Sequence, residues 1–305
     1  MSLCGVFLLN KPVGIRSSVC VAALKRQLGR KVKVGHGGAL DSTAEGLMGL
    51  LVGGATRAND LVTGLSKEYC VRFRLGEERS TEDFSGEVTF SGPVPLNPEK
   101  KIELILPRFL GARLQTPPDI SAVWIKGRRA HEIARSGERP EIKPRLVYIS
   151  SVGHLRDEGD GKTFGLYIKC SRGTYIRSVV RDIGRALGCG AYVLSLVRRS
   201  TGSFDLAGAS DFRDVESGAF DMADRIRPLS DLASNFYCYR CGTEAALKVQ
   251  NGRAVPLAEL SFLWPGREGS CREAALLADG LFSYGSIEEG GFFRPSTNIF
   301  FGEKQ

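Results

Sequence analysis

Alternating apolar and polar residues predict several strands along the chain. In residues 68–75 every second position is apolar, so one face of this segment would carry Tyr69, Val71, Phe73 and Leu75. A period of two is typical of a half-buried strand. The same reasoning, extended to continuous apolar runs, predicts further strands at residues 6–9, 47–52, 146–155, 163–170 and 191–199.

Residues 55–63 predict a modest helix. Three further segments predict helices because their apolar residues recur at the spacing of one helical face. The first would be capped by Ser17 or Ser18 and would stop at Gly29. The second would begin at Asn97, a capping residue that is followed by proline. The third would begin near Tyr175 and end at Gly188.

The pattern changes after Pro228, where short strand-like runs alternate with turn signals such as Asp279-Gly280. We therefore predict the α+β class, with a large domain at 1–228 on a mainly antiparallel mixed sheet. A small β-barrel domain would occupy 229–305.

Charge is distributed unevenly over these two predicted domains. The chain has a net charge of +8, but residues 229–305 carry seven Lys/Arg against nine Asp/Glu, so the first 228 residues carry a net of +10. The segment 107–145 alone has nine Lys/Arg and four Asp/Glu. A one-sided basic excess favours a polyanionic partner, and nucleic acid is the main candidate.

The sequence has no pattern typical of a cofactor, metal or membrane protein. Eight cysteines include a single C-x-x-C pair, Cys238 and Cys241, whereas a zinc site usually needs two such pairs. There is no nucleotide fingerprint, no secretory signal and no apolar run of membrane-spanning length. We expect no cofactor, no metal and no membrane contact, and a location in the reducing cytoplasm.

The candidate chemistry lies in residues 35–46, where four glycines surround one carboxylate. Asp41 is the only acidic residue among the first 44. One interpretation is a turn capped by the aspartate, since Asp and Gly dominate turns. The other is a reactive carboxylate that a glycine-framed loop holds in position.

This loop resembles the catalytic loop of the TruB-type pseudouridine synthases, which runs Gly-His-x-Gly-Ala-Leu-Asp-Pro-x-Ala-x-Gly. Ser42 stands where the family usually has proline, and Glu45 where it usually has threonine. The residues that match position by position are His36, Gly38, Ala39, Leu40, Asp41, Ala44 and Gly46.

Further blocks extend the resemblance over about the first 200 residues, in the order of the family. They are Lys11-Pro12-x-Gly14 with Ser17-Ser18, Lys67-x-Tyr69 with Leu75-Gly76 and Thr81-Glu82-Asp83-x-x-Gly86, Gln115 to Gly127, Cys170 to Arg177, and Leu196 to Gly202.

The resemblance implies a fold, a reaction and a set of site residues. The small C-terminal domain would be PUA-like, and the enzyme would isomerise uridine to pseudouridine in the T-arm of tRNA, at position 55. Asp41 would be the catalytic carboxylate, and the implied substrate-binding residues are His36, Tyr69, Tyr175, Arg177 and Leu196. In this group Tyr69 would stack on the target base, and Arg177 would hold Asp41 in its charged form.

The basic segment 107–145 would be the insertion that closes over the RNA stem-loop. Its implied RNA-binding residues are Lys126, Arg128, Arg129 and Arg135. The partner would be the T stem-loop of tRNA, without an obligate protein partner, and we expect a monomer.

Two alternatives remain at this point. One is a dyskerin-like synthase guided by a separate RNA, against which the long insertion and the absence of basic tails argue. The other is a non-catalytic protein that binds and folds tRNA. The presence of Asp41, Tyr69 and Arg177 argues against it.

Overall fold

The computed structural model describes residues 3–157, 159–267 and 272–301. The chain divides into two compact units, and the second is inserted in the first. Unit 1 combines Met1–Leu65 with Ser200–Gln305, and unit 2 is Ser66–Arg199. The predicted domain limits at residues 228 and 229 stay a prediction.

Eight α-helices lie in the described part of the chain. They are short, and none of them is long and apolar enough to cross a membrane. In chain order they are α1 Ser17–Leu28, α2 Asn59–Gly64, α3 Pro98–Ile105, α4 Ala130–Arg135, α5 Ile176–Ala186, α6 Phe212–Ser217, α7 Leu229–Ala233 and α8 Thr243–Gln250.

Strands make up most of the remaining regular structure. In chain order they are β1 Gly5–Lys11, β2 Val34–His36, β3 Glu45–Val52, β4 Lys67–Leu75, β5 Glu77–Arg79, β6 Val88–Ser91, β7 Gly111–Gln115, β8 Trp124–Ile125, β9 Arg128–Arg129, β10 Arg145–Asp157, β11 Thr163–Cys170, β12 Ala191–Thr201, β13 Phe204–Asp205, β14 Ser210–Asp211, β15 Tyr237–Arg240, β16 Val255–Pro256, β17 Ser261–Trp264, β18 Glu273–Ala278, β19 Leu281–Glu288 and β20 Phe292–Phe300.

In unit 1, β1 lies between β3 and β14. It pairs antiparallel with β3, so that Gly5 lies opposite Val52 and Lys11 opposite Gly46. It pairs parallel with β14. The short β2 also pairs antiparallel with β3, which places His36 opposite Leu50. The loop that carries Asp41 therefore connects two paired strands.

The C-terminal part of unit 1 forms a six-stranded sheet in the order β16-β20-β19-β18-β15-β17. Its neighbours are antiparallel except β15 and β18, which are parallel. The Asp279-Gly280 hairpin is present, with Gly280 at φ 69°. At Asn251-Gly252, in contrast, the turn signal marks the end of α8, a helix that the strand-like pattern did not predict.

One apolar core joins the N-terminal and C-terminal parts of unit 1. It packs strand residues such as Val6 and Leu51 with Val62 from α2 and with Phe282 and Ile299 from the C-terminal sheet. All five are fully buried. The C-terminal sheet thus packs directly against the strands that hold the Asp41 loop.

Unit 2 is built on the strand order β12-β4-β11-β10-β7. β4, β11, β10 and β7 pair antiparallel with their neighbours in this order, and Tyr69 of β4 lies opposite Ile168 of β11. The strands predicted from alternation, at residues 68–75, 146–155, 163–170 and 191–199, are confirmed as β4, β10, β11 and β12.

The helix caps differ from the prediction. Arg16 is the N-cap residue of α1, and no side chain caps this helix because the Ser17 hydroxyl bonds elsewhere. Asn97 precedes α3 in a left-handed conformation, with φ 52°, and its side chain makes no capping hydrogen bond. Both helices nevertheless start where the sequence predicts.

Gly184 tests how closely α5 packs in unit 2. A Cβ atom at this position would lie 2.2 Å from the backbone N of Ala191 and 2.3 Å from the backbone C of Gly190. We expect Gly184→Ala to lower the free energy of unfolding by about 2 kcal/mol, the cost of overpacking against a backbone that must shift. Thermal denaturation measures the effect.

Gly153→Ala is the matched control, because nothing lies within 4 Å of a Cβ at that strand position. Its melting temperature should equal or exceed that of the wild type. Equal melting temperatures for the two variants would contradict the close packing of α5.

Candidate active site

Asp41 lies on the loop between β2 and β3. At the start of this loop the Gly37 N–H donates to the Gly49 carbonyl at 2.9 Å. A Cβ at Gly37 would lie 2.1 Å from Cγ1 of Val62, so only glycine fits beside this buried side chain without displacing it. The loop is therefore packed onto the core of unit 1.

Hydrogen bonds hold the backbone on both sides of Asp41. Before it, the Ser17 hydroxyl donates to the Leu40 carbonyl and accepts from the Leu40 N–H, both at 2.9 Å. After it, the Gly14 N–H donates to the Ser42 carbonyl at 2.7 Å. The Ala44 N–H closes a turn on the Asp41 carbonyl at 3.1 Å. Ser42 is thus the second residue of a four-residue turn, a position where proline is favoured.

Lys11 fixes the segment from which Gly14 donates. Its side chain is fully buried, and Nζ donates to the Pro12 and Ile15 carbonyls, both at 2.8 Å. A buried ammonium needs such acceptors. Gly14 itself has φ 87°, a conformation that favours glycine.

Asp41 and His36 differ in exposure. Asp41 is exposed, as a carboxylate that must reach a substrate would be, whereas His36 is half-buried. The Gly38 N–H donates to Nδ1 of His36 at 3.4 Å. Gly38 adopts φ 123°, which permits this contact two residues along the chain.

The other predicted substrate-binding residues lie in unit 2. Tyr69 of β4 and Leu196 of β12 are each 8% exposed, whereas Tyr175 is half-buried immediately before α5. Gln115 holds the Tyr175 backbone, because its Oε1 accepts from the Tyr175 N–H at 2.8 Å and its Nε2 donates to the carbonyl at 3.1 Å. The Arg145 guanidinium lies 4.7 Å from the centre of the Tyr175 ring.

Arg177, in the first turn of α5, is 4% exposed. Its Nη1 donates to the Thr81 carbonyl at 2.7 Å, and its Nη2 donates to the Ile120 carbonyl at 3.0 Å. Two acceptors from different loops fix the plane of the guanidinium. Its orientation therefore depends on where residues 81 and 120 lie.

Glu82 connects the first of these loops to α5. It accepts from Ser178 Oγ at 3.0 Å and forms a short ion pair with Arg181, which also donates to the Thr116 carbonyl at 3.0 Å. Burial raises the pKa of Glu82, and the charges of Arg181 and Arg177 oppose that rise. Glu82 has φ 61°, a strained conformation that these contacts maintain.

Ser17, Gln115 and Glu82 were missed as functional residues in the sequence. All three lie in the blocks quoted above, but Ser17 was expected only to cap a helix, and no role was predicted for Gln115 or Glu82. Residue type alone gives no signal for their contacts, because Ser17 and Leu40 are separated by 23 positions and Ser178 and Glu82 by 96.

The four predicted RNA-binding residues come together in one small substructure. Lys126, Arg128 and Arg129 belong to the hairpin of β8 and β9, and Arg135 ends the adjacent α4. Lys126, Arg128 and Arg135 are exposed, and Arg129 is half-buried. Arg128 pairs with Glu138 at 3.5 Å on the surface, which leaves it accessible.

One cluster in the described residues has the composition of a metal site. The ligand atoms of Glu99, Glu103 and His154 lie within 4.8 Å of one another. The two glutamates are exposed. Nδ1 of His154 lies 3.6 Å from Glu99 Oε1, and such groups of exposed carboxylates are common without a metal.

Comparison with known proteins gives the family. A sequence model described as "TruB family pseudouridylate synthase (N terminal domain)" matches residues 25–176. The tRNA pseudouridine synthase B of Bacillus licheniformis is 36% identical over 257 residues, 82% of this chain and 83% of that protein. The protein of the same name from Dehalococcoides mccartyi is 39% identical over 255 residues, 83% and 84% of the two chains. The chain belongs to the TruB family of pseudouridylate synthases.

Solved structures agree with this assignment at the level of the fold. The "Cbf5-Nop10-Gar1 Complex" contains a chain that is 26% identical, with a TM-score of 0.72 over 98% of this chain and 85% of that one. A chain of an "H/ACA RNP bound to a substrate RNA containing 2'-deoxyuridine" gives a TM-score of 0.70 at 22% identity, again over 98% and 85%. The predicted α+β class with a PUA-like C-terminal β domain is confirmed.

The predicted resemblance to TruB-type synthases is likewise confirmed. The dyskerin-like alternative is not favoured, because the curated relatives named tRNA pseudouridine synthase B are 35–39% identical. The individual roles of the site residues stay predictions.

Ser17→Ala tests whether the loop contacts matter for this TruB family member. The variant loses both hydrogen bonds to Leu40 and leaves two backbone groups without this partner, each at a cost of about 1–3 kcal/mol. We expect the single-turnover rate of pseudouridine formation to fall about tenfold or more, with little change in RNA affinity.

The adjacent Ser18 is exposed, so Ser18→Ala serves as the control and should keep the wild-type rate. Rates that are equal in the two variants would mean that Ser17 does not position the loop.

Glu82→Gln tests whether burial raises the pKa of the Glu82 carboxyl. Because the folded pKa of Glu82 lies above its ordinary value of 4.5, the native state keeps a proton that the unfolded chain has released in the window between the two values. The free energy of unfolding therefore falls as the pH rises through this window. Glutamine is neutral at every pH, so the variant should lack this pH-dependent contribution to the free energy of unfolding.

Denaturation of both proteins from pH 4.5 to 7 measures the difference. The stability of the wild type relative to Glu82→Gln should decrease with rising pH. Parallel stability curves would show that burial does not dominate the titration of Glu82.

Proposed function

We propose that this chain converts a uridine in the T-arm of tRNA, at position 55, into pseudouridine. The proposal rests on the carboxylate of Asp41, which is exposed on a backbone that hydrogen bonds hold on both sides. The chain that carries it is a member of the TruB family. Relatives over most of the chain are named tRNA pseudouridine synthase B.

The reaction is an isomerisation. The N–C glycosidic bond of the uridine breaks, the base rotates, and a new bond forms between the sugar and C-5 of the base. The hydrogen on C-5 leaves as a proton, and the freed ring nitrogen takes up a proton. No atom is gained or lost overall, so the conversion balances without a co-reactant. Asp41 supplies the carboxylate that acts on the nucleotide.

A carboxylate in this role must be placed before the substrate arrives. Preorganised groups accelerate reactions because no free energy is used to orient them during the chemical step. The contacts of Leu40 with Ser17 and of Ser42 with Gly14 provide that placement. They do so without the proline that the family usually has after the aspartate.

The target uridine lies in a folded RNA loop, so it must flip out of the stack before a side chain reaches its sugar. We assign Tyr69 to stacking on the flipped base, and Tyr175 and Leu196 to lining its pocket. The low exposure of Tyr69 and Leu196 is consistent with a water-excluding wall. His36 would fill the vacated place or contact the RNA, and the role of Arg177 as the partner of the carboxylate remains a prediction.

The RNA is held by the basic substructure at residues 124–135, within a segment that has a net charge of +5. Lys126, Arg128 and Arg135 are exposed and available to phosphates. We infer that the chain recognises the T stem-loop by itself, as a monomer without an obligate protein partner. The cytoplasmic location expected from the sequence also stays a prediction.

Asp41→Asn tests the proposed function. Purified protein is incubated with an unmodified tRNA transcript, without guide RNA or other proteins, and pseudouridine formation is measured at single turnover. Asparagine keeps the shape but removes the charge, so we expect the rate to fall by at least about a thousandfold while tRNA still binds. Asp60→Asn, which changes an exposed acid in the same unit, should leave the rate unchanged.

The same assay separates the alternatives. A wild-type protein that binds tRNA but forms no pseudouridine would be the RNA-folding protein considered above. Product that appears only with an added guide RNA would indicate a dyskerin-like enzyme. Turnover near the wild-type rate in Asp41→Asn would remove Asp41 from the catalytic role.

A further inference from the structure

The hairpin formed by β8 and β9 exposes a large aromatic side chain. Trp124 is 61% exposed, although tryptophan is costly to leave in water. The two residues of the turn, Lys126 and Gly127, have φ 46° and 85°, as in the primed turns that favour tight hairpins. Trp124 is therefore presented on a defined scaffold.

Arg129 covers one face of the indole. It lies opposite Trp124 in the hairpin, and its guanidinium carbon is 4.4 Å from the centre of the ring. Nη1 of Arg129 also donates to the Ala122 carbonyl at 2.7 Å, which fixes the guanidinium in place. With one face covered and most of the residue exposed, the opposite face of the ring is open to solvent.

The surroundings of this ring are basic. Lys126 and Arg128 lie on the same hairpin, and Arg135 ends the next helix. Nucleic-acid-binding surfaces combine aromatic rings that stack on bases with cations that meet phosphates. A protein partner with an apolar surface would not require this excess of positive charge.

The hairpin is tied to the loop that Arg177 contacts. Arg177 Nη2 donates to the Ile120 carbonyl, and Trp124 follows Ile120 by four residues, so their Cα atoms lie within about 14 Å of each other. His131 reinforces the connection, because its backbone N–H donates to the Ser121 carbonyl at 3.1 Å. Trp124 is thus close enough to meet a nucleotide of the same RNA loop, while the stack on the target uridine is assigned to Tyr69.

We propose that the open face of Trp124, backed by Arg129, binds an unpaired nucleobase of the substrate RNA other than the target uridine. This stacking platform rests on the proposed function, since it requires that RNA binds to unit 2. It adds a contact that depends on a π-face rather than on charge, and it accepts any base.

Fluorescence gives a direct test. The chain contains two tryptophans, Trp124 and Trp264, so Trp264→Phe leaves Trp124 as the single indole reporter. A T-arm RNA hairpin is titrated into this variant, and its binding is measured in parallel from the anisotropy of labelled RNA. Stacking should quench the Trp124 emission, with the same midpoint as binding. Unchanged emission at saturating RNA would overturn the proposal.

Affinities of variants in the otherwise wild-type chain provide a second measurement. Trp124→Ala should weaken RNA binding about tenfold, and Trp124→Phe should weaken it less, because a smaller ring still stacks. Phe262→Ala removes a comparably exposed aromatic, 54% exposed in unit 1, and should have no effect. Equal affinities for wild type and Trp124→Ala would overturn the platform.

Salt dependence separates stacking from charge. Trp124→Ala should keep the wild-type slope of log affinity against log salt, whereas Arg128→Ala should reduce that slope by about one phosphate contact. A slope that falls equally in both variants would contradict stacking by Trp124.

Failure of this proposal is distinguishable from failure of the proposed function. If tRNA is bound and modified while the Trp124 emission stays constant, only the stacking platform is wrong. If the T-arm RNA does not bind at all, both proposals are overturned.

Discussion

A single serine hydroxyl does most to define where the carboxylate of this enzyme lies. Ser17 satisfies both backbone groups of Leu40 at once, and it is itself fixed in the first turn of α1. Leu40 is buried, so removing the Ser17 hydroxyl from its amide and carbonyl would cost more free energy than losing the same hydrogen bonds at the protein surface. Because Asp41 follows directly, the contacts of Leu40 also position its backbone, while its own side chain stays exposed. Leu40 therefore provides the fixed backbone, and the neighbouring Asp41 provides the accessible carboxylate.

In unit 2, charged side chains likewise depend on contacts that fix the surrounding backbone. Arg177 is oriented by two carbonyls, and the loop that supplies one of them is held to α5 by Glu82 through Ser178 and Arg181. A buried carboxylate in a strained conformation is costly, and it persists because several partners share it. In both units a predicted site residue depends on a less conspicuous residue that fixes the backbone near it.

Local pattern predicted most of the fold, because strands such as residues 68–75 and helices such as 17–28 owe their existence to periodic apolar residues. The loop with Asp41 was also found, since its glycines are local signals. Contacts between distant segments were not accessible: Ser17 was expected to cap a helix, and the helix at residues 243–250 was missed among strand-like runs. Such contacts depend on tertiary packing, which residue type and spacing do not encode.

The chain path through unit 1 has a consequence for synthesis. Residues 3–65 leave the ribosome before the rest of unit 1, but their apolar core includes Phe236, Phe282 and Ile299. At typical translation rates of about 5–20 residues per second, roughly nine seconds or more pass before Phe236 emerges, and longer before Phe282 and Ile299. During that interval β1 and β3 exist as an incomplete sheet with uncovered apolar side chains, while unit 2 has all of its own residues earlier. Folding of the nascent chain is therefore expected to finish first in the inserted unit and last around the loop that bears Asp41.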